Sequence, residues 1–358
     1  MRILFLQQQP CVRALKYAAA LRSAFPRIHL GFAYQGKTLS GWYGAGDELF
    51  ERWWDLGSEP LKGLRQAGDV FRPDLIHSHN LPDSLTAIAL ELFAGRVPVV
   101  HDVHDLQSLR RTPYEHGFPE PPEALALEQL AIEKCSALVT VSDELLEEIR
   151  VRYKPTAPSL AFPNYALRRD LPRVLPPAER PNGHPPRLVY QGTISTNGGH
   201  YDLREIFSAI VGEGVSLDCY PSRAVPAYTE LAAGLDGLRA HATLTPSRLL
   251  AALPAYDFGW AGFNSTLNGA HLDTCLPNKA YEYIGCGLPV LTLGHRALSQ
   301  LVVENGLGLS LATFDDLVGQ LSAVDMVELR RRVAAVRLEL TVEANIHQLA
   351  ELYEAVAC

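Results

Sequence analysis

Apolar positions recur at two spacings along this chain. Short runs such as Ile3–Leu6 and Leu75–His77 are continuous, whereas Val12–Ser23, the stretch near Pro60–Val70 and Ser84–Phe93 repeat at three and four. Strand runs alternating with helical stretches predict a parallel sheet, because parallel neighbours need a long crossover between them. Arg27–Tyr34 reads as the second strand. The pattern continues through strand Val97–His101, helix Pro122–Lys134, strand Ala137–Val141 and helix Asp143–Arg152, with Ser142 or Asp143 as its cap. A second series begins at strand Arg187–Gln191. It runs through helix Leu203–Val211, strand Val215–Tyr220, a helical segment after Ala227, strand Ala240–Ala242, helix Pro246–Leu253 and strand Phe258–Ala261. A short helix opening at Pro277 and strand Pro289–Thr292 follow, and Val327–Val356 reads as two helices.

Between the two series, Leu171–Pro186 carries six prolines in sixteen residues and interrupts every period, as an extended linker would. At 358 residues the chain exceeds one ordinary core. The expected organisation is an N-terminal Rossmann-like domain over 1–170, a linker over 171–186, a C-terminal domain over 187–340, and a terminal helix over 341–358 packing across the domains. The expected fold is α/β, with two doubly wound parallel-sheet domains facing across a cleft, where ligands sit beyond the carboxyl ends of strands.

Composition narrows the class. Hydrophobic residues make up 47% and charged residues 20%, with no uncharged apolar run of the roughly 18 residues a membrane span needs. Met1–Leu6 breaks at Gln7-Gln8-Gln9-Pro10, too short for a signal-peptide core, so a cytoplasmic location is expected. The six cysteines show no C-x-x-C pairing or metal-ligand spacing, which argues against a zinc site or disulfide scaffold. A net charge of −8 argues against general nucleic-acid binding.

The densest chemistry lies in LPNKAYEYIGCGLPVLTL, Leu276–Leu293. Pro277 suits a first helical turn and would leave the amides of Asn278, Lys279 and Ala280 to attract an anion. Helical spacing puts Lys279, Glu282, Tyr283 and Cys286 on one face, so a cation and a carboxylate can meet one ligand. The ordinary alternative is a surface Lys–Glu pair, worth about a few tenths of a kcal/mol.

In order along the chain, PDLIHSHN (Pro73–Asn80), PVVHDVHDL (Pro98–Leu106), CSALVTVSDEL (Cys135–Leu145), FPN (Phe162–Asn164), LVYQGTIS (Leu188–Ser195), LTPSRLLAALPAYDFGW (Leu244–Trp260) and the segment above resemble landmarks of the two-Rossmann (B-type) glycosyltransferases. The likeness is to retaining family 4. It implies a nucleoside-diphosphate sugar as co-substrate, no other cofactor and no metal, and transfer to an acceptor hydroxyl by a hexosyltransferase-like enzyme. The acceptor (glycan, lipid-linked sugar, protein or small molecule) is not specified. By the same resemblance Glu282 binds the ribose, His104 lies near the transferred sugar, and Gly192 and Thr193 form the glycine turn at the donor, with Asn278, Lys279 and Ala280 at the diphosphate. Without the resemblance His104 reads as a capping or packing residue, and His77 and His79 as lining the cleft floor or merely buried.

Three departures stand out. The family's first acidic position is Thr274, leaving Asp273 or His271 to serve only if the loop shifts. The glycine turn lacks the usual Arg and Lys, so Lys279, the helix amides, Thr193 and Arg204 are the candidates for the diphosphate charge. QQQPCVR replaces a glycine pair, and there Gln8, Arg13 and Lys16 read either as acceptor ligands or as a solvated helix face. Loop Gln107–Pro122, with Arg110, Arg111, Tyr114 and His116, is the candidate acceptor cover, and Trp53-Trp54 reads as packing. Family members that act on lipids dock on membranes through a basic amphipathic helix, for which Val12–Arg22 is the candidate, at the inner surface. An epimerase or hydrolase of UDP-sugars and a non-catalytic nucleotide-sugar-binding partner remain the alternatives.

Overall fold

The computed structural model describes residues 1–36, 48–111, 123–177 and 186–357. All strands named here pair in parallel, in two sheets that belong to separate units, Met1–Asn164 with Val342–Cys358, and Tyr165–Thr341.

In the first unit β1 (Arg2–Gln7), β2 (His29–Tyr34), β3 (Arg52–Asp55), β4 (Leu75–His79), β5 (Val99–Val103), β6 (Ala137–Thr140) and β7 (Ser159–Ala161) lie in the order β3-β2-β1-β4-β5-β6-β7. Ile3 sits opposite Leu30 on one side and Leu75 on the other. Strand alternation sends Leu4, Leu6 and Ile76 into a core with Leu64, Phe71, Leu85 and Phe93 from the helices Pro60–Phe71 and Ser84–Phe93. Phe5 and His77 face the other way, stacked on each other at 5.1 Å, with Tyr17 of the helix Val12–Ala24 beside His77. Helices on both faces explain why β4 and β5 are buried throughout rather than alternating.

In the second unit β8 (Arg187–Gly192), β9 (Ser216–Pro221), β10 (Leu238–Ala240), β11 (Phe258–Trp260), β12 (Val290–Leu293) and β13 (Gly308–Leu311) follow the order β10-β9-β8-β11-β12-β13. The order reverses between β1 and β4 in the first sheet and between β8 and β11 in the second, and the carboxyl ends at such reversals are where open α/β sheets hold ligands.

Most expected elements are present, with ends moved by a residue or two. The pattern missed β3, β7 and β13, which have four residues or fewer and bring charge, Ser or Gly into the run. Strand β10 lies two residues before its expected place. Ser142 caps the helix Asp143–Tyr153 through its hydroxyl, which accepts from the Leu145 amide at 3.0 Å.

The division between units falls after Asn164, ahead of the proline-rich stretch. Leu171 packs against Gly285, and Arg337 donates to the Pro172 carbonyl at 2.9 Å, so the start of the expected linker belongs to the second unit. Residues 178–185 lie outside the described residues. Ala166 and Thr341, near the two ends of the second unit, pair as a parallel bridge. The chain then returns to the first unit, where the helix Val342–Ala357 buries Ile346, Leu349 and Tyr353. Trp53 stacks on Phe32 at 4.9 Å and Trp54 meets the edge of Phe71, so both tryptophans pack the first unit. Among the described residues no helix is long and apolar enough to cross a membrane.

Gly259 on β11 is required by packing, since a Cβ there would lie 2.3 Å from ring atoms of Tyr283. That ring cannot swing away, because its hydroxyl accepts from the Gln191 amide at 2.9 Å. Gly259→Ala is expected to cost about 1–3 kcal/mol by overpacking. Gly269→Ala, with open space around it, is the control that should leave the denaturation midpoint nearly unmoved.

Candidate functional site

The helix Asn278–Gly285 is fixed to the second sheet by Tyr283, whose hydroxyl joins the Gln191 amide and lies 3.3 Å from the Trp260 carbonyl and 3.4 Å from that of Val189. Pro277 stands one position earlier than expected. Its ψ of 147° is extended, so it is the cap and Asn278 opens the helix. Ala280 is wholly buried and its amide donates to the Pro277 carbonyl at 3.1 Å, so it is committed within the turn rather than offered outward. Asn278 is half-buried at the helix start.

One turn of helix brings Lys279 under the end of β8. Its side chain is 7% exposed, its Nζ lies 4.2 Å from the Tyr190 ring centroid and 4.7 Å from that of Phe263, and it donates to Tyr190 Oη at 3.1 Å. Among the described residues no carboxylate lies within ion-pair distance of it, so the surface Lys–Glu pair is ruled out. Burial pushes the ammonium down to about 7, against the smaller opposing effects of Cys219 and Glu282. Glu282, half-buried, accepts from Gln191 Nε2 at 2.7 Å. Gly192 ends β8 at φ +124°, a conformation that favours glycine, with Lys279 Cε 3.8 Å from where its Cβ would be. The next carbonyl, that of Thr193, accepts from the Tyr190 hydroxyl. Gly192, Thr193, Lys279 and Glu282 are therefore brought together at one strand end through Tyr190 and Gln191, neither of which the sequence singled out.

At the carboxyl ends of β4 and β5 the first unit holds a second polar cluster. Asp102, wholly buried, receives Arg13 Nε at 3.1 and 3.0 Å, His77 Nε2 at 3.2 Å and His104 Nε2 at 3.4 Å. Burial opposes its ionisation, but Arg13 and His104 together with the hydrogen bonds from His104 and His77 hold the carboxyl well below the usual range. His77 Nδ1 meets the Tyr353 hydroxyl at 2.5 Å. Burial lowers His77, and lowers His79 further with His77 beside it. His79 Nδ1 lies 3.0 Å from His104 Nε2. His104, with 21% of its side chain exposed, is the ring of this cluster open to solvent, and its amide donates to Asn80 Oδ1 at 2.8 Å. Ligand atoms of Cys11, His79 and His104 lie within 4.8 Å of one another, as do those of His77, His79 and Asp102. Burial raises the Cys11 thiol, which keeps it neutral and opposes metal ligation.

Other expectations are corrected. Arg13 and Lys16 are each 4% exposed, so neither lies on a solvated face, and Arg13 is spent on Asp102, on Asn164 Oδ1 at 3.1 Å and on the Thr140 carbonyl at 3.3 Å. Residues 13–21 of the helix Val12–Ala24 are all buried, which removes it as a membrane-docking face. Gln8 Oε1 is buried with no hydrogen-bond partner. Arg204 donates through Nε and Nη2 to Asp202, at 2.9 and 2.7 Å, an ion pair within its own turn. Asp273 accepts from the first amide of the helix Arg296–Glu304 at 3.1 Å, a capping role, and His271 is buried with Cys275 Sγ 3.5 Å from its Nε2. Arg110 and Arg111 are described, but Tyr114, His116 and the rest of 112–122 lie outside the described residues.

Two doubly wound parallel sheets, each with polar side chains gathered at its reversal point, define the two-Rossmann, B-type fold of glycosyltransferases. Residues 42–164 match the model of Glycosyltransferase Family 4. Sucrose-phosphate synthase from Thermosynechococcus elongatus superposes with a TM-score of 0.69 at 14% identity, over 99% of this chain and 98% of that one. Anabaena Alr3699/HepE, solved with UDP-glucose, gives 0.68 at 14% over 99% and 100%. The lipopolysaccharide outer core galactosyltransferase WaaB gives 0.69 at 10% over 99% of each chain. No curated protein matched by sequence. At these identities the structural likeness establishes the fold, and the resemblance read from the sequence landmarks is borne out.

Two outcomes test the site's energetics. Lys279 has a folded pKa near 7, below its unfolded value, so between those values the unfolded chain holds more protons and stability rises with pH. Lys279→Met should flatten that rise, so that the denaturation midpoint gains less between about pH 6 and about pH 9.5 than it does in wild type. Arg13→Met leaves a buried carboxylate without its main counter-charge and should cost about 3–5 kcal/mol in chemical denaturation.

Proposed function

We propose that the protein is a glycosyltransferase that moves a sugar from a nucleoside-diphosphate sugar, with UDP as the first candidate nucleotide, to an acceptor hydroxyl. The observation that carries this reading is Lys279: a cation buried at a strand end against two aromatic rings and a phenol hydroxyl, with no carboxylate within ion-pair distance among the described residues, beside a positive-φ glycine and a helix N-terminus. Such a group gains most from an anion that arrives with its own negative charge, and a diphosphate supplies it. Solved structures of the same fold bound to UDP or UDP-glucose favour that nucleotide.

In this reading Lys279, with the amides of Asn278 and Lys279 and the Thr193 backbone, neutralises the departing diphosphate without a metal. Glu282 receives ribose hydroxyls, because a carboxylate accepts two hydrogen bonds at once, and Gln191 holds it in place. His104 serves the sugar side of the reaction. The anomeric configuration is retained, with the leaving phosphate assisting deprotonation of the acceptor on the same face. Release of free sugar without acceptor would point instead to a hydrolase.

Thermal unfolding with a panel of nucleoside diphosphates and their sugar conjugates, with and without EDTA, tests the assignment. A ligand at about 100 times its Kd adds about 2.7 kcal/mol to the native state. One nucleotide series should stabilise the wild type independently of EDTA, and Glu282→Ala should lose that stabilisation. A flat response to every nucleotide would overturn the donor-site reading.

A further inference from the structure

The ladder between β11 and β12 ends in a side chain. The Gly259 amide donates to the Pro289 carbonyl and the Ala261 amide to that of Leu291, each at 2.9 Å. Two residues on, the same even spacing would bring the Phe263 amide to the Leu293 carbonyl. That carbonyl is already taken, by the His295 amide at 2.7 Å and by the hydroxyls of Thr292 and Ser299 at 3.1 Å each. The Phe263 amide donates instead to His295 Nε2 at 3.2 Å, so an imidazole stands in for the strand carbonyl. Only a neutral ring can accept there, because a protonated Nε2 has no lone pair, and the proton of neutral His295 is therefore on Nδ1. His295 is 4% exposed and leads into the helix Arg296–Glu304, whose Ser299 amide donates to its carbonyl at 2.7 Å.

This bond places one of the two rings packed on Lys279. The Phe263 centroid lies 4.7 Å from Lys279 Nζ, and the rings of His295, Tyr201 and His200 stand 5.9, 5.9 and 6.0 Å from it. The next residue is tied down on the other side, where Asn264 donates from its amide to the His200 carbonyl and from its side chain to the Asp202 carbonyl, both at 3.1 Å. The titratable and charged groups around His295 are Asp273 from the turn before the donor helix, Arg296 next to it, and Lys279, His200 and Tyr201 across the Phe263 ring. Burial lowers the imidazole below its ordinary value, with Asp273 pulling the other way.

We infer that His295 is a positioning residue of the donor site: neutral, it holds the Phe263 ring against Lys279, and on gaining a proton it releases that wall and weakens binding of a nucleoside-diphosphate sugar. The inference rests on the donor-site reading above and adds to it a residue and an acid limit. The two titrations act in opposite senses. As pH falls through about 7, Lys279 gains its charge and donor affinity rises. Further down, His295 gains a proton, the Phe263 amide loses its acceptor, and affinity falls.

The test is calorimetric binding of UDP-glucose on both sides of the ordinary histidine pKa of about 6.5. The phosphates of this probe are all esterified or bridged and hold no titrating proton in that range. Wild type should lose affinity at the acid end. His295→Gln, whose side-chain carbonyl accepts the amide at any pH, should bind without that acid loss. His295→Leu should bind about ten-fold more weakly at neutral pH, the worth of one net hydrogen bond. An acid loss that persists in His295→Gln, a Gln variant as weak as the Leu variant, or a Leu variant that binds like wild type overturns the inference. A second readout needs no ligand. In protein labelled at lysine Cε, the Lys279 titration midpoint of about 7 should move in His295→Leu and return in His295→Gln. A midpoint unmoved in both would show that His295 only packs. UDP-glucose bound by none of the proteins at any pH would sink the donor-site reading, and the Lys279 midpoint would still decide whether His295 holds the wall.

Discussion

A carboxylate taken wholly out of water governs the first unit. Asp102 is tolerable at the end of β5 only because Arg13, 89 residues earlier, meets both its oxygens and two imidazoles complete its shell. The Arg13 guanidinium is itself held by Asn164 and the Thr140 carbonyl, so the helix after β1, the end of β6 and the last residue of the first chain segment converge on one ion pair. Such a pair adds little net stability compared with an apolar pair of the same volume, but losing one member is costly. Its effect is to fix geometry: His77, His79 and His104 take their orientations from Asp102 and from one another.

The second unit solves the opposite problem. Lys279 is a buried cation whose compensation comes mainly from ring quadrupoles and a phenol, which offset its burial less than a carboxylate in contact would, so that burial lowers it to about 7. Tyr190 lies under the ammonium and hydrogen-bonds the Thr193 carbonyl, and Tyr283 joins the helix to β8 and β11. The donor-site candidates are thus placed by aromatic hydroxyls rooted in the sheet rather than by the exposed loop.

Much of the fold was readable from periodicity, since helices such as Ser84–Phe93 and strands such as β1 bury continuous or stripe-like apolar sets. The candidates Lys279 and Glu282 came from helical spacing, and Gly192 and His104, with the roles proposed for all four, came from the resemblance of their flanking segments to family landmarks. The partners made by Arg13, Asp102, Tyr190 and Tyr353 were not legible. A charged residue in a helical pattern reads as solvated, and nothing local announces that Arg13 faces a carboxylate on another strand.

The sequence by itself determined the alternation of strands and helices, hence two parallel sheets, and the residue types available at their carboxyl ends. Tertiary structure alone decided that Asp273 caps a helix, that Arg204 is bound by Asp202, that the chain divides after Asn164, and that its last helix returns to the first unit to place Tyr353 on His77. The physical reason is range. Periodicity and capping are settled by neighbours within a turn or two, whereas ion pairs and buried hydrogen bonds join residues separated by as many as 276 positions. Such partners are set only once the sheets have brought them together.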